Sequence, residues 1–280
     1  MYTTNTTKVS IILPVFNGGD SVGRSIESVL AQSSNSWELI AIDDGSTDKT
    51  AEIILKYCNS DSRIFYFKND SNLGIQKSLN KGIQIAQGKY IARIDSDDVW
   101  IDSNKLLNQK NFLDAHPQYG LVGTGAMLVS KEGEDLSRYL SPLTDDAIRQ
   151  RILGKNCFVH ASVLMRKDIL NIIGGYSESK NTRHVEDHEL WMRFGTVSKI
   201  TNIPEYSVAL TVSSGSITAK HRVVQAWRML KLCLLYRKKY KHFLKNFCIC
   251  FARLLFFSFN SLFPVRASFI YSLQSKIKNI

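Results

Sequence analysis

Along the first hundred residues the apolar positions alternate between two patterns. VSIILPVF (9–16) is a continuous apolar run of the buried-strand type, and ELIAIDD (38–44), RIFYF (63–67) and KYIARID (89–95) repeat it. Between these runs, residues 21–31, 47–57 and 75–86 have helical spacing, with Ile53, Ile54 and Tyr57 on one face of the second. Strands separated by helices of this length need crossover connections, which are right-handed. The expectation is an α/β fold, a Rossmann-like doubly wound and mostly parallel sheet.

After residue 101 the regularity weakens. Asp102 and Ser103 are placed to cap a helix that runs to about His116, where Pro117 follows. LVGTGAMLV (121–129) reads as a strand ahead of a turn at Gly133, SVLMR (162–166) as another strand, and residues 187–194 as a short helix. The last 60 residues differ in kind. Val224, Trp227, Leu230, Leu234 and Leu235 keep helical spacing against Arg and Lys over 221–245, and FCICFARLLFFSFNSLF (247–263) follows. That second stretch contains Arg253 and is shorter than the roughly 20 apolar residues that a bilayer crossing needs, so it suits an interfacial helix. The chain therefore divides into a body over 1–215, with halves 1–101 and 102–215, and a helical tail over 216–280.

Charge sharpens that division. Of the 36 Lys and Arg residues, thirteen fall in 220–280, which holds no Asp or Glu; the remainder carries 23 basic against 25 acidic residues. The net charge of +11 thus belongs to the tail, a cationic appendage that seeks a polyanion. Aromatic residues interleaved with cations (Trp227, Tyr236, Tyr240) would also fit nucleic acid. Leu254, Leu255, Phe256, Phe257, Phe259 and Phe263 argue instead for an anionic membrane surface. Packing of these helices on the body or on a partner subunit is the remaining reading. Five cysteines (58, 157, 233, 248 and 250) without a CxxC pair argue against a disulfide framework and a zinc knuckle, and fit a reducing cytoplasm. No signal peptide is read at MYTTNTTKVS.

In a doubly wound sheet, ligands bind beyond the carboxyl ends of the strands. Three such ends are informative here. The first runs Pro14-Val15-Phe16-Asn17-Gly18-Gly19-Asp20 into a helix, which can present backbone amides to a nucleotide; a plain strand-to-helix turn has the same composition. The second, Asp43-Asp44-Gly45-Ser46-Thr47-Asp48, ends on adjacent carboxylates that repel and lose hydration, so a favourable partner is needed. Either Asp48 or Ser46 caps the next helix, or a carboxylate accepts from a pyrimidine N–H. The third, Asp95-Ser96-Asp97-Asp98, gathers three carboxylates within four residues, and hard oxygen ligands select Mg²⁺ or Mn²⁺. An anionic diphosphate would be repelled by this cluster unless a divalent ion bridged the two.

These segments resemble family 2 inverting glycosyltransferases with the GT-A fold. VSIILPVFNGGDSVGRSIESVLAQ, AIDDGSTDKT and NLGIQKSLNKGIQIAQGKYIARIDSDDVW occur in the family's order, followed by Glu186-Asp187-His188-Glu189-Leu190-Trp191. The similarity covers roughly residues 8–210. It implies a nucleotide-binding half over 1–101 and an acceptor-binding half over 102–215. Asp44, with Asp43, would contact the uracil or thymine base, and Asp95 and Asp97 would serve the ribose and the metal. Pro14, Phe16, Asn17, Asn72, Gly74, Asn80, Arg93 and Ser96 would line or support the nucleotide site. Asp187 would be the general base toward the acceptor hydroxyl, helped by Glu186, with His160, Tyr176, His184 and Trp191 on the acceptor side.

The resemblance further implies single-sugar transfer in O-antigen, capsule or similar envelope polysaccharide assembly. The donor would be a UDP- or dTDP-sugar and the acceptor polyprenyl-linked or a saccharide, at the inner face of the plasma membrane. Gln225-Ala226-Trp227-Arg228-Met229 lacks the Trp that follows Arg in the Q-x-x-R-W motif of processive synthases. A nucleotidyltransferase or a binding protein without transfer would share the donor site. The Glu186-Asp187 segment separates them, because only transfer to a hydroxyl needs a base there.

Overall fold

A computed structural model describes residues 8–130, 133–211 and 221–262 of the protein. Its sheet has nine strands. β1 (Val9–Val15) pairs in parallel with β2 (Trp37–Asp43) and β4 (Tyr90–Arg93), and β3 (Ile64–Lys68) lies outside β2, also parallel. β1, β2 and β4 are buried throughout, which is why they read as unbroken apolar runs rather than as alternating strands. The two faces still separate by residue parity. Val9, Ile11, Leu13 and Val15 pack with Val22, Ile26 and Val29 of α1 (Val22–Leu30), Ile54 of α2 (Thr50–Ser60) and Leu113 of α4 (Lys105–Ala115). Ile12, Ile40 and Ile42 face the other way, toward Leu79 and Ile83 of α3 (Ile75–Ile85).

The second half continues the same sheet with mixed directions. β8 (Leu164–Arg166) runs antiparallel to β4 and to β6 (Tyr119–Val129); β9 (Lys199–Thr211) is parallel to β6. β5 (Val99–Trp100) pairs antiparallel with β9, and β7 (Asp135–Tyr139) forms an antiparallel pair with β6. The sheet is therefore parallel across β3-β2-β1-β4 and mixed beyond it. Sequence patterning missed β5, β7 and β9, together with α5 (Asp145–Arg151) and α6 (Lys167–Ile173). α5 and α6 are two turns each, and Pro204 with Glu205 interrupts the alternation of β9. α4 starts at Lys105 rather than at 102–103, because Asp102 forms a turn ahead of it, accepting from the Asn104 N–H at 2.9 Å.

The tail packs on the body. α8 (Arg222–Leu235) and α9 (Phe243–Leu262) run antiparallel, with Arg222 over the Phe257 ring at 6.0 Å and Cys233 and Cys250 buried in one apolar cluster. Leu230, Cys233 and Cys250 join the same apolar cluster as Leu190, Trp191 and Phe194 of α7 (Glu186–Val197). Tyr236 donates to Glu189 at 2.8 Å and Tyr240 to the Met192 carbonyl at 2.6 Å. The opposite faces, with Trp227, Leu235, Leu244, Phe251, Leu255 and Phe259, are exposed. Residues 212–220 and 263–280 of the expected tail, Phe263 among them, lie outside the described residues.

One buried cation is unrelated to the strand-end chemistry. Lys105 is fully buried, its Nζ donating to Gln109 Oε1 at 2.9 Å and lying 4.1 Å from the Trp100 ring centroid. Burial pushes its ammonium down to about 7, with Asp102 opposing. Between that value and the ordinary 10.5 the unfolded chain holds a proton that the folded chain lacks, so stability rises as pH rises through this window. Lys105→Met is expected to flatten this slope, checked by urea unfolding at pH 7, 8.5 and 10.

Candidate active site

The β1 and β2 ends are tied to each other by hydrogen bonds of the chain itself. Asn17, at φ 50°, donates its backbone N–H to Ser46 Oγ at 2.9 Å and accepts from the Thr47 N–H at 3.0 Å. Gly18 and Gly19 donate to Thr50 Oγ1 and Asp48 Oδ2, both at 2.9 Å. A side chain at Gly18 would lie 2.8 Å from Val15 and 3.1 Å from Ser96 Oγ, so glycine lets the first loop close onto the β4 end. Phe16 projects from this loop, about half exposed, whereas Pro14 is buried within β1.

The adjacent carboxylates of β2 are satisfied by the chain itself. Asp43 is fully buried, accepting from the Ser46 N–H at 2.8 Å and the Tyr66 hydroxyl at 2.7 Å. Asp44 accepts from Asn69 Nδ2 at 2.8 Å, the Leu73 N–H at 2.9 Å and the Gly74 N–H at 2.8 Å. This corrects the sequence argument: protein donors offset the desolvation, and no base is required to explain the pair. Asp44 shapes the loop that carries exposed Asn72 and Gly74, the latter at φ 90°.

At the β4 end, Arg93 is 1% exposed and forms a bidentate pair with Asp95. Burial draws its guanidinium down from its usual high value, and the negative charges of Asp98, Asp187 and Glu186 oppose that shift. Asp98 is buried behind exposed Asp97, and burial together with Asp97 raises its carboxyl to about 7. With Asp95 engaged by Arg93, Asp97 is the one carboxylate of this loop left open to solvent and without a side-chain hydrogen bond among the described residues. No group of three His, Cys, Asp or Glu ligands forms among the described residues. The donor set still fits Mg²⁺ or Mn²⁺, which take one or two carboxylates and fill the rest of their shell with phosphate oxygens and water. The mutual repulsion of Asp97 and Asp98 is what such a cation would relieve.

Facing Arg93 is the start of α7. Glu186 is 8% exposed, its Oε2 has no hydrogen-bond partner among the described residues, and burial reinforced by Asp187 raises its carboxyl to about 7. Asp187 is half-buried and accepts from Asn156 Nδ2 at 2.6 Å. His160 Nε2 meets the Tyr176 hydroxyl at 2.7 Å, and burial with the nearby Arg93 holds its pKa well below the usual value. The imidazole is therefore neutral at physiological pH.

Four of the expected site residues are placed as follows. Trp191 is fully buried between Phe158 and His160, at ring separations of 5.7 Å to each, so it supports His160 from behind and cannot touch an acceptor. Tyr176 is also buried and acts through the same imidazole. Asn80 does not line the nucleotide site, because both its amide groups bond the Tyr176 backbone at 2.8 Å. His184 is half-buried and stacks on His221 at the head of α8, with centroids 4.4 Å apart. Asn156, Tyr66 and Asn69 were missed; each is an ordinary polar residue whose partner lies more than twenty positions away, beyond any local motif.

The family profile described as "Glycosyl transferase family 2" matches residues 10–173, more than half of the chain, and takes in all three strand ends. This chain belongs to glycosyl transferase family 2. It is a glycosyltransferase with the GT-A fold. It is 30% identical over 225 residues to the UDP-Glc:alpha-D-GlcNAc-diphosphoundecaprenol beta-1,3-glucosyltransferase WfgD of Escherichia coli, covering 78% of each chain. It is 36% identical to EpsE of Bacillus subtilis (strain 168) over 67% of its own length; the match spans 66% of EpsE, and as little as 26% of a Rickettsia bellii glycosyltransferase.

The S. aureus TarS 1-349 complex with UDP-GlcNAc superposes with TM-score 0.66 at 18% identity, covering 88% of this chain and 72% of that one. The mannosyltransferase PcManGT from Pyrobaculum calidifontis, in complex with GDP-Man and Mn²⁺, gives 0.65 at 14% identity over 99% and 82%. In this glycosyltransferase Asp44→Asn is expected to destabilise the fold by about 1–3 kcal/mol, since an amide group would face backbone N–H donors. Urea unfolding checks the size.

Proposed function

We propose that this glycosyltransferase moves a hexosyl or N-acetylhexosaminyl unit, with inversion, from a UDP- or dTDP-sugar to a hydroxyl of a polyprenyl-linked or saccharide acceptor, in O-antigen, capsule or similar cell-surface polysaccharide synthesis. The carrying observation is the buried Arg93, whose charge interacts with Asp98 beside the donor loop and with Glu186 and Asp187 on α7. That convergence supports a reaction centre between a nucleotide-binding half (1–101) and an acceptor-binding half (102–215). A UDP donor and a lipid-linked acceptor accord with the name of WfgD, and a UDP-sugar with the TarS complex.

In this reading the loop held by Asp44 and the Asn17 turn receive the base and ribose. Asp97, joined by Asp95, would hold Mn²⁺ or Mg²⁺, in keeping with the Mn²⁺ complex of PcManGT. Bound there, the divalent ion would stabilise the departing diphosphate in place of a general acid. Asp187 takes the proton of the acceptor hydroxyl as it attacks the anomeric carbon opposite the nucleotide. Glu186, raised to about 7, shares protons at neutral pH and keeps the pair from carrying two full charges. His160, neutral and held by Tyr176, offers a hydrogen bond without adding charge.

The exposed apolar stripe of α9 and the cations around the α8–α9 turn (Arg237, Lys238, Lys239, Lys241, Lys245) support peripheral binding to an anionic membrane, at the cytoplasmic face where a polyprenyl-linked acceptor would be reached. α9 includes a 19-residue stretch, Phe243–Ser261, apolar and long enough to cross a bilayer, but its other face is fastened to the body.

Asp187→Asn is expected to abolish transfer while UDP affinity stays within a few-fold. Asp97→Ala should erase the difference in UDP affinity between manganese and EDTA. Transfer and calorimetric titration test both; an active Asp187→Asn enzyme defeats the base assignment, and wild-type affinity indifferent to EDTA defeats the metal. Replacing Phe251, Leu255 and Phe259 together by Ser should weaken co-sedimentation with phosphatidylglycerol vesicles roughly tenfold or more while leaving the melting temperature unchanged, because all three are exposed in the free protein.

A further inference from the structure

The carboxylate of Asp187 has one described protein partner, and that partner is itself fixed from two sides. Asn156 Nδ2 donates to Asp187 Oδ2 at 2.6 Å, while its Oδ1 accepts from the Phe158 N–H at 3.1 Å. The Phe158 bond decides the amide's orientation, since a flipped Asn156 would set its NH₂ against an N–H and its oxygen against a carboxylate. The turn leading to Asn156 is fastened by the tail. Asn246 donates to the Gln150 carbonyl at 3.0 Å and Arg253 to the Gly154 carbonyl at 2.6 Å. A Cβ at Gly154 would stand 2.6 Å from Asn246 Oδ1, so the close approach of α9 depends on glycine there.

We propose that Asn156 is a positioning residue for Asp187: its amide holds Oδ2 so that Oδ1 is the oxygen presented to the acceptor hydroxyl. The inference rests on the assignment of Asp187 as base. The hydrogen bond removes the rotational freedom of the carboxylate, so that the accepting oxygen need not be ordered when the acceptor binds. The other groups that share the electrostatic environment of Asp187 are Arg93 on β4, Tyr176, and Glu186 and His188 on α7 itself. Asn156 is the one that bonds to it directly through its side chain among the described residues.

The test compares Asn156→Ala, Asn156→Asp and Asp187→Asn in the full-length protein, measuring kcat, KM for donor and acceptor, UDP affinity and melting temperature from pH 5.5 to 9. Asn156→Ala is expected to lower kcat by about ten- to hundredfold, the factor for one hydrogen bond to a charged group. Donor KM and UDP affinity should hold, and the acidic limb of the kcat/KM profile should move to higher pH. Asn156→Asp sets carboxylate against carboxylate and should move that limb further. An Asn156→Ala enzyme with unchanged kcat and pH profile overturns the proposal. So does a loss that is uniform with pH and accompanied by weaker UDP binding or a lower melting temperature, which would mark a merely structural residue. An active Asp187→Asn enzyme would instead remove the underlying base assignment, so the two failures are separable.

Discussion

The carboxylates of the β4 end and of the α7 start are arranged around one buried guanidinium. An arginine with 1% exposure is tolerated only if negative charge surrounds it, because removing the ion from water costs several kcal/mol. Arg93 meets that condition through its paired Asp95 and through Asp98, Glu186 and Asp187, which come from opposite halves of the chain. The condition is reciprocal. Glu186 and Asp98 could not be buried beside other carboxylates without that cation, and even with it both are raised to about 7. Strand β4 is the place where such a group can sit, between the parallel part of the sheet and the antiparallel β8.

The same economy of charge separates rigid from available groups. Asp44, Asp48 and Asn17 bond to neighbouring loops, and Asp43 bonds to its own loop and to Tyr66 of β3, so these strand ends are held by the chain itself. Asp97 and Asp187 are the carboxylates left with room to act. One is exposed with no side-chain partner described, and the other keeps one oxygen outside its single bond to Asn156. Preorganised binding groups and a few uncommitted reactive ones are what low-cost electrostatic catalysis requires.

The parallel half of the fold was legible because burial on both faces writes itself as apolar runs, and the strand-end carboxylates were legible because such clusters are expensive. Strand β9 and the short helices α5 and α6 were not, since their stability comes from partners in the sheet rather than from their own periodicity. At the site, residue type proved a better guide than role. Asp44 and Asn80 were found for their chemistry, yet each turned out to hold a loop, and Trp191 turned out to be core. The roles depended on pairings such as Asn156 with Asp187, 31 residues apart, which no spacing rule reports.

The tail illustrates how a composition argument can be right about charge and incomplete about place. Segregated cations and a phenylalanine-rich run distinguish residues 220–280 from the body, and an appendage is the natural inference. Yet α8 lies along α7 through Tyr236 and Tyr240, and α9 caps the 150–154 turn through Asn246 and Arg253. Amphipathic helices have two faces, and here one is used to join the core while the other stays exposed. Because α7 and the 150–156 turn carry the two partners of the Asp187–Asn156 bond, the cationic hairpin packed on both also braces the carboxylate proposed as base. Any displacement of the hairpin would reach that carboxylate through α7 and the turn before Asn156.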